Sequence, residues 1–483
     1  MTSKYEPVIG LEIHIQLSTK SKAYSVDSAS YGASSNSNIS PVTLGHPGTL
    51  PRVNRKVIEY AVKLGLACNS NIREENHYAR KNYFYADLPK GYQITQDTTP
   101  ICTGGKLHLK TKDGKDHWVH LTRIHMEEDA GKSIHDQDPF NSLIDLNRAG
   151  VPLLEMVSEP DLRSSEEAYQ FVTEVRKLVR YLGICDGNME EGSLRCDANI
   201  SVRKKGEAQF GTKIEVKNMN SMRNVQRAIE HEIERQVEVL ESGGKLYQET
   251  RNFDAVSGTT TSMRSKEAAN DYRYFPEPDL CPVIVSKAYI EKVREAMPAL
   301  PNDLHDKYTS EFGLSDYDAN VITENREFAQ FYEDLTLCTN NYKAAANWMI
   351  GPVKSYLNDI AVDMSEFPLT PNQIGEIISL VDKGDLSFSA ASKQLYPALI
   401  QQPKEDIGSL INKLNLLQQS DQNDINDYVK KAIMKYPEKV AEYRSGKVGL
   451  LGLFMGEVMK LSGGKADPKI ASKLVKEALD ANN

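Results

Sequence analysis

Val8-Ile9-Gly10-Leu11-Glu12-Ile13-His14-Ile15-Gln16-Leu17 alternates apolar and polar residues over a full strand length. Successive side chains of a strand point to opposite faces, so Leu11, Ile13, Ile15 and Leu17 share one face and Glu12, His14 and Gln16 the other. Glu12 and His14 then lie roughly 7 Å apart on one side of a sheet, close enough to hold one ion, or an ion with its phosphate. A sheet with a wet polar face would show the same alternation.

Three further stretches repeat the pattern. Trp118 to Ile124 alternates and runs into His125-Met126-Glu127-Glu128-Asp129-Ala130-Gly131-Lys132. If that strand continues, His125, Glu127 and Asp129 face one way and Met126 and Glu128 the other. Carboxylates at a strand end suit a hard cation such as magnesium, although a solvated, charged loop has the same composition. Leu194 to Arg203 puts Arg195, Asp197, Asn199, Ser201 and Arg203 on one face, and Gly211 to Asn218 does the same with Lys213, Glu215 and Lys217. Neighbouring strands with acids and bases on one face make a polar floor that could hold a metal-bound triphosphate. A merely solvated face would carry more Thr, Ser and Gln. Arg80-Lys81-Asn82-Tyr83-Phe84-Tyr85 interleaves cations with aromatics, which suits a nucleotide or an aromatic core strand.

Helices separate these strands. Ser164 with Glu167 reads as a capping box, followed by an apolar stripe from Ala168 to Leu182, and a second stripe runs from about Ser221 to Leu240. Residues 25–51, rich in Ser, Asn, Gly and Pro, read as a long loop. From about residue 287 helical patterns replace strand patterns, and Thr370-Pro371 is a clear helix start. These changes place one boundary near 295 and a second in the polar linker near 403–410. The glycines of Gly446-Lys447-Val448-Gly449-Leu450-Leu451-Gly452-Leu453-Phe454-Met455-Gly456 match a phosphate loop poorly, because no Ser or Thr follows the Lys, and are expected to let helices pack closely.

Totals exclude several classes. At 483 residues, with 26% charged and 40% hydrophobic, the chain is a soluble globular one of two to three domains. No apolar run has membrane-spanning length, and the N-terminus shows no signal segment. Six scattered cysteines without a CxxC pair fit a reducing cytoplasm. The net charge of −9 argues against coating nucleic acid through bulk charge, yet residues 411–483 hold twelve Lys+Arg against nine Asp+Glu, a net +3, and the rest is −12. A basic tail on an acidic body permits a local nucleic-acid contact. There is no Walker A sequence, no GxGxxG before a helix and no convincing Ser–His–Asp set.

Six long motifs, in order, carry a resemblance: Ile9-Gly10-Leu11-Glu12-Ile13-His14, Gly45-His46-Pro47-Gly48-Thr49-Leu50-Pro51, Arg80 to Tyr85, His125 to Lys132, Glu190-Glu191-Gly192-Ser193-Leu194-Arg195-Cys196-Asp197-Ala198-Asn199, and Asp271-Tyr272-Arg273-Tyr274-Phe275-Pro276-Glu277-Pro278-Asp279. Over essentially its whole length the chain resembles the B subunits (GatB) of the glutamyl/aspartyl-tRNA amidotransferases. The resemblance implies an α+β fold: a mixed or antiparallel-sheet domain of glutamine synthetase/guanido kinase type over 1–295, then all-helical domains over 296–408 and 409–483, the last holding tRNA. It implies a cytoplasmic enzyme, an ATP-dependent carbon–nitrogen ligase with glutamine as amido donor. ATP and Mg²⁺ would serve to phosphorylate the side-chain carboxylate of Glu-tRNA(Gln) or Asp-tRNA(Asn). Ammonia from the A subunit, a glutaminase of the amidase type, would then displace phosphate. The C subunit would tie the other two together, with no membrane involved. Alternatives are a stand-alone carboxylate kinase or ligase on a free amino acid, and a non-catalytic tRNA scaffold.

On this reading Glu12, His14, Glu127, Glu128 and Glu215 are the expected metal residues. Glu127, Glu128, Arg195 and Lys213 are catalytic, with Glu128 at the mouth of the ammonia channel. Arg80, Lys81, Arg195 and Lys213 contact ATP phosphates, and Tyr83 and Tyr85 stack. Many members of the family bind zinc through four cysteines after the first strand. Ser25, Asp27, Ser40 and Thr43 stand at the matching positions here, so no zinc is expected, and the loop must be held by hydrogen bonds or be mobile.

Overall fold

The structure, a computed structural model, describes residues 4–110, 116–135, 137–265, 272–417, 422–463 and 466–481. It divides between Leu300 and Pro301 into two compact units. The first is built on a ten-stranded mixed sheet. Its long strands are β1 (Tyr5–Gln16), β2 (Asp116–Glu128), β3 (Pro152–Ser158), β4 (Leu194–Lys204), β5 (Ile214–Met219), β6 (Glu249–Asp254) and β7 (Thr259–Ser265). They lie in the order β7-β6-β5-β4-β1-β3-β2, with short strands completing the β2 side. Every pair among these is antiparallel except β5 with β6, which run parallel.

The alternation of β1 explains its central place. Leu11, Ile13 and Ile15 are at most 1% exposed, on the face covered by helices. They pack with Leu154 and Met156 of β3, Cys196 and Ala198 of β4, and the apolar stripes of helices α1 (Arg55–Ala67), α2 (Ser165–Tyr181) and α3 (Met222–Glu241). Burial of each large aliphatic side chain contributes about 1.5–3 kcal/mol, so a one-residue slip of β1 would forfeit several such terms at once. The register is fixed accordingly, and the polar face of the sheet is left away from the helices.

Local signals set the helix starts. Ser164 accepts from the Glu167 amide, while the Glu167 carboxylate accepts from Arg163 N at 2.6 Å, one residue outside the reciprocal partner of a capping box. A smaller sheet pairs Ala79–Asn82 with Tyr92–Thr95 on one side and Phe275–Pro276 on the other. It is joined to β2 where Gln96 accepts from Met126 N at 2.9 Å and Ile94 N donates to Glu128 at 2.9 Å.

In the second unit every regular element among the described residues is helical. Thr370 and Gln373 form a full capping box with Pro371 in the first turn. Pro352 sits in a π-helical turn, Met349–Val353, where its missing amide is accommodated. One expectation is overturned. Nothing lies within 4 Å of where a Cβ would stand on Gly446, Gly449, Gly452 or Gly456. Close helix packing would need a neighbour there, and the buried contacts of helix Leu451–Leu461 come from Phe454, Glu457 and Val458 instead. No helix among the described residues is long and apolar enough to cross a membrane.

Candidate functional site

The polar face carries two groups of ligating side chains, side by side and joined through β1. Register makes them. His14 lies opposite Glu155 of β3 on one side and Arg195 of β4 on the other, and Glu155 lies opposite His125 of β2. A row His125–Glu155–His14–Arg195 therefore crosses four strands. Two residues along, Glu12 lies opposite Asp197, and Asn199 lies opposite Glu215.

In the first group, His14, Glu127 and Glu155 each offer one ligand atom, all within 4.8 Å of one another. His14 Nε2 is 3.3 Å from Glu155 and 3.8 Å from Glu127, and His125 Nε2 is 3.6 Å from both carboxylates. Burial disfavours a charged His14, but the hydrogen bond and charge of Glu155, aided by Glu127, outweigh it and raise the imidazole to about 9. Burial opposes ionisation of Glu155 too, and His125 with His14 holds its carboxyl well below the usual range.

The second group is all oxygen. Glu12, Asp197 and Glu215 again offer one atom each within 4.8 Å. Burial and the nearby Glu155 push the Glu12 carboxyl up, against a 2.8 Å hydrogen bond from Asn199. Lys217 donates to Asp197 and lies 3.1 Å from Glu215, which also accepts from Thr250 at 2.8 Å. Burial would discharge Lys217, yet Asp197 and Glu215 keep it charged. Three carboxylates offset by one ammonium leave a negative site that a hard divalent cation complements.

His14, Arg195, Asp197 and Lys217 line one side of a cleft of about 770 Å³, with Tyr31, Arg148, Glu190 and Glu191 among its other walls. Arg195 is fixed there by Asp129, at 2.9 Å, and its Nε is buried without a hydrogen-bond partner. An orphaned guanidinium N–H beside candidate cation ligands is suited to a phosphate oxygen. Arg148 donates to the carbonyls of Ala130 and Gly131 at 3.0 and 2.7 Å and so braces the turn after β2.

The residues singled out from sequence fall into three sets. Glu12, His14, Glu127, Arg195 and Glu215 come together on this face. Lys81 joins them from the small sheet: burial alone would lower its ammonium, but Glu127 and Glu155 hold it charged. Its Nζ lies 5.8 and 4.9 Å from the rings of Tyr83 and Tyr272.

Others are not brought to either group. Strand β2 continues through Glu128, so Glu128 turns away from Glu127. It pairs with Lys90, accepts from Ile94 N, and lines a separate cavity of about 110 Å³ with Lys22, Tyr24 and Thr43. Arg80, one residue from Lys81, faces the opposite way and is held bidentately by Glu277 at 2.7 and 2.8 Å, with Asp279 at 3.2 Å. Lys213 is exposed just before β5, Tyr85 is exposed and packs edge-on to Tyr83, and Asp271 lies outside the described residues. Ser25, Asp27, Ser40 and Thr43 meet one another in the loop after β1.

Glu155 is the candidate ligand that the sequence pattern does not single out. Its signal was available: Leu154 and Met156 flank it as core residues, so parity alone sends it to the polar face. Alternation puts Asp197 and Lys217 on the polar face, but nothing in the sequence singles them out from their neighbours.

Comparison with known proteins places the whole chain in one family. Residues 7–291 match the model of the GatB/GatE catalytic domain, and residues 330–479 that of the GatB domain. The B subunit of the aspartyl/glutamyl-tRNA(Asn/Gln) amidotransferase of Syntrophotalea carbinolica is 48% identical over 479 residues, 99% of each chain. The corresponding proteins of Persephonella marina and Chlorobaculum tepidum are 45% and 48% identical over 99% of this chain and all of theirs. With both family models matched in order and relatives this close aligned end to end, the chain belongs to the family of aspartyl/glutamyl-tRNA(Asn/Gln) amidotransferase B subunits.

Proposed function

We propose that this chain is the ATP-using subunit of a tRNA-dependent amidotransferase, acting on Glu-tRNA(Gln) or Asp-tRNA(Asn). A carboxylate is a poor acyl donor because oxide or hydroxide would have to leave. Attack of a carboxylate oxygen on the γ-phosphorus of ATP forms the acyl phosphate and releases ADP. Ammonia then attacks the acyl carbon, phosphate leaves and a proton is lost, giving the amide. Phosphoryl transfer asks for positioning and charge neutralisation rather than a nucleophilic side chain. The observation that carries the proposal is the pair of ligand groups on one sheet face beside Arg195.

The donor sets fit magnesium: Glu12, Asp197 and Glu215 are all carboxylates, and His14, Glu127 and Glu155 supply a second set. When bound there, magnesium would neutralise phosphate charge. Arg195 and Lys81 would hold phosphate oxygens, and Lys217 would hold the Asp197 and Glu215 side chains in place. Tyr83 and Tyr272 wall the approach of Lys81. Glu128 and Lys90, on their own cavity, are assigned to ammonia delivery. The ammonia would come from a separate glutaminase chain, the A subunit, with the C subunit joining the two.

The sheet domain, 1–295, is read as a glutamine synthetase/guanido kinase type of cradle, 296–408 as a helical domain and 409–483 as the tRNA-binding tail. The test is one assay: the purified chain with and without its partners, given Glu-tRNA(Gln), ATP, magnesium and ammonium. Amidated product without partners, only when ammonium is supplied, is the expected result. Absence of ATP consumption under all these conditions would defeat the assignment.

A further inference from the structure

The loop between β1 and α1 carries Ser25, Asp27, Ser40 and Thr43 where zinc-binding members of the family have cysteines. The four side chains still converge, around one atom. Asp27 Oδ2 accepts from Ser25 Oγ at 3.1 Å, from Ser40 Oγ at 2.8 Å and from the Thr43 hydroxyl, while Ser25 and Thr43 hydroxyls lie 3.1 Å apart. Burial pushes the Asp27 carboxyl up, but these three donors and the nearby Lys22 hold it below its ordinary value.

This set does not fit zinc. It has one carboxylate and three neutral hydroxyls, and all three hydroxyls donate to the same oxygen of that carboxylate, Asp27 Oδ2. Zinc sites are built from thiolates, imidazoles and carboxylates. We propose that Asp27 is the centre of a metal-free knot that pins this loop over the Lys22–Lys90–Glu128 cavity, replacing the zinc of cysteine-bearing relatives.

The loop's contacts give the knot its purpose. Ser25 and Thr43 are walls of the cavity shared with Lys22, Lys90 and Glu128. Lys22, 0% exposed, donates its amide to Asp27 O at 3.0 Å, so the knot also anchors the backbone of a buried cation. Gly45, at φ +68°, lies so close to Lys90 that a Cβ there would stand 2.7 Å from its Cγ. The turn after Thr43 therefore sits directly on the lysine that pairs with Glu128. Charge-assisted hydrogen bonds to one shared acceptor resist displacement more than neutral ones, which lets three short side chains hold a long loop.

The test combines metal analysis with amide hydrogen exchange on the full-length chain. Purified protein dialysed against EDTA should bind no zinc at this loop, so any zinc taken up on titration by the sheet-face carboxylates and His14 should be unchanged in Asp27→Ala. Asp27→Ala should speed exchange in peptides covering 22–27 and 40–46 at least about tenfold, and Asp27→Asn, which keeps an acceptor without the charge, should fall between it and the parent. The S25C/D27C/S40C/T43C chain should bind one cobalt ion with a thiolate charge-transfer band and regain parental protection. One tightly held zinc per parent chain that Asp27→Ala removes would overturn the proposal. So would unchanged exchange in both Asp27 variants, which stays decisive if the cysteine variant does not fold. None of these readouts uses amidation, so the knot and the functional reading stand or fall separately.

Discussion

Glu155→Gln isolates the electrostatics of the His14 group. The substitution keeps the side-chain volume and removes the charge closest to His14, 3.3 Å from Nε2, leaving Glu127 at 3.8 Å. The rise of His14 from 6.5 to about 9 corresponds to about 3 kcal/mol of preference for the protonated ring, net of burial. Glu155 supplies both the hydrogen bond and the largest charge, so its loss should lower His14 by about two pH units, worth about 3 kcal/mol. The sign in stability follows. A folded-state value raised above 6.5 stabilises the fold fully below pH 6.5, and that contribution is lost as pH rises through about 9. The parent's stability advantage over the variant should therefore shrink between pH 6.5 and 9. Histidine ring NMR titration reads the value directly, with His14→Gln identifying the resonance among the ten histidines. Thermal denaturation across the same pH range reads the linkage. Bound metal must displace the His14 proton, so divalent affinity of the parent should also climb with pH up to about 9. A His14 that still titrates near 9 in Glu155→Gln would refute the reasoning, and so would parallel stability curves.

One substitution and one truncation separate structural from functional cations and test the tail. Arg80→Ala should destabilise the first unit by about 3–5 kcal/mol, because it strands a Glu277 carboxylate buried in a bidentate pair. Its KM for ATP should stay within about twofold of the parent, so a large KM increase at unchanged melting temperature would make Arg80 a phosphate ligand after all. Removal of residues 411–483 should raise the KM for tRNA while leaving the KM for ATP alone, and an unchanged tRNA KM at increasing salt would remove the tail from tRNA binding.

Sequence alone determined a good deal, for reasons of short range. Alternation placed Glu12 with His14, and Glu127 opposite to Glu128, since side-chain direction in a strand depends only on parity. Ser164, Ser221 and Thr370 marked helix starts because capping is settled within three residues. Arg80 and Lys81 were read as a pair, and parity along Ala79–Asn82 could have divided them, but the carboxylates that decide their fates are remote in sequence.

What the tertiary structure decided is adjacency. Setting β1 between β3 and β4 brings Glu155 and Asp197, far from Glu12 and His14 in the chain, to the two flanks of one strand. That order follows from which apolar faces pack best beneath the three helices, a sum over many side chains that no local pattern contains. The same long-range packing gives Arg80 to Glu277 and sends Glu128 to Lys90. It also draws Ser40 and Thr43 back to Asp27, so that the loop closes on itself through one carboxylate.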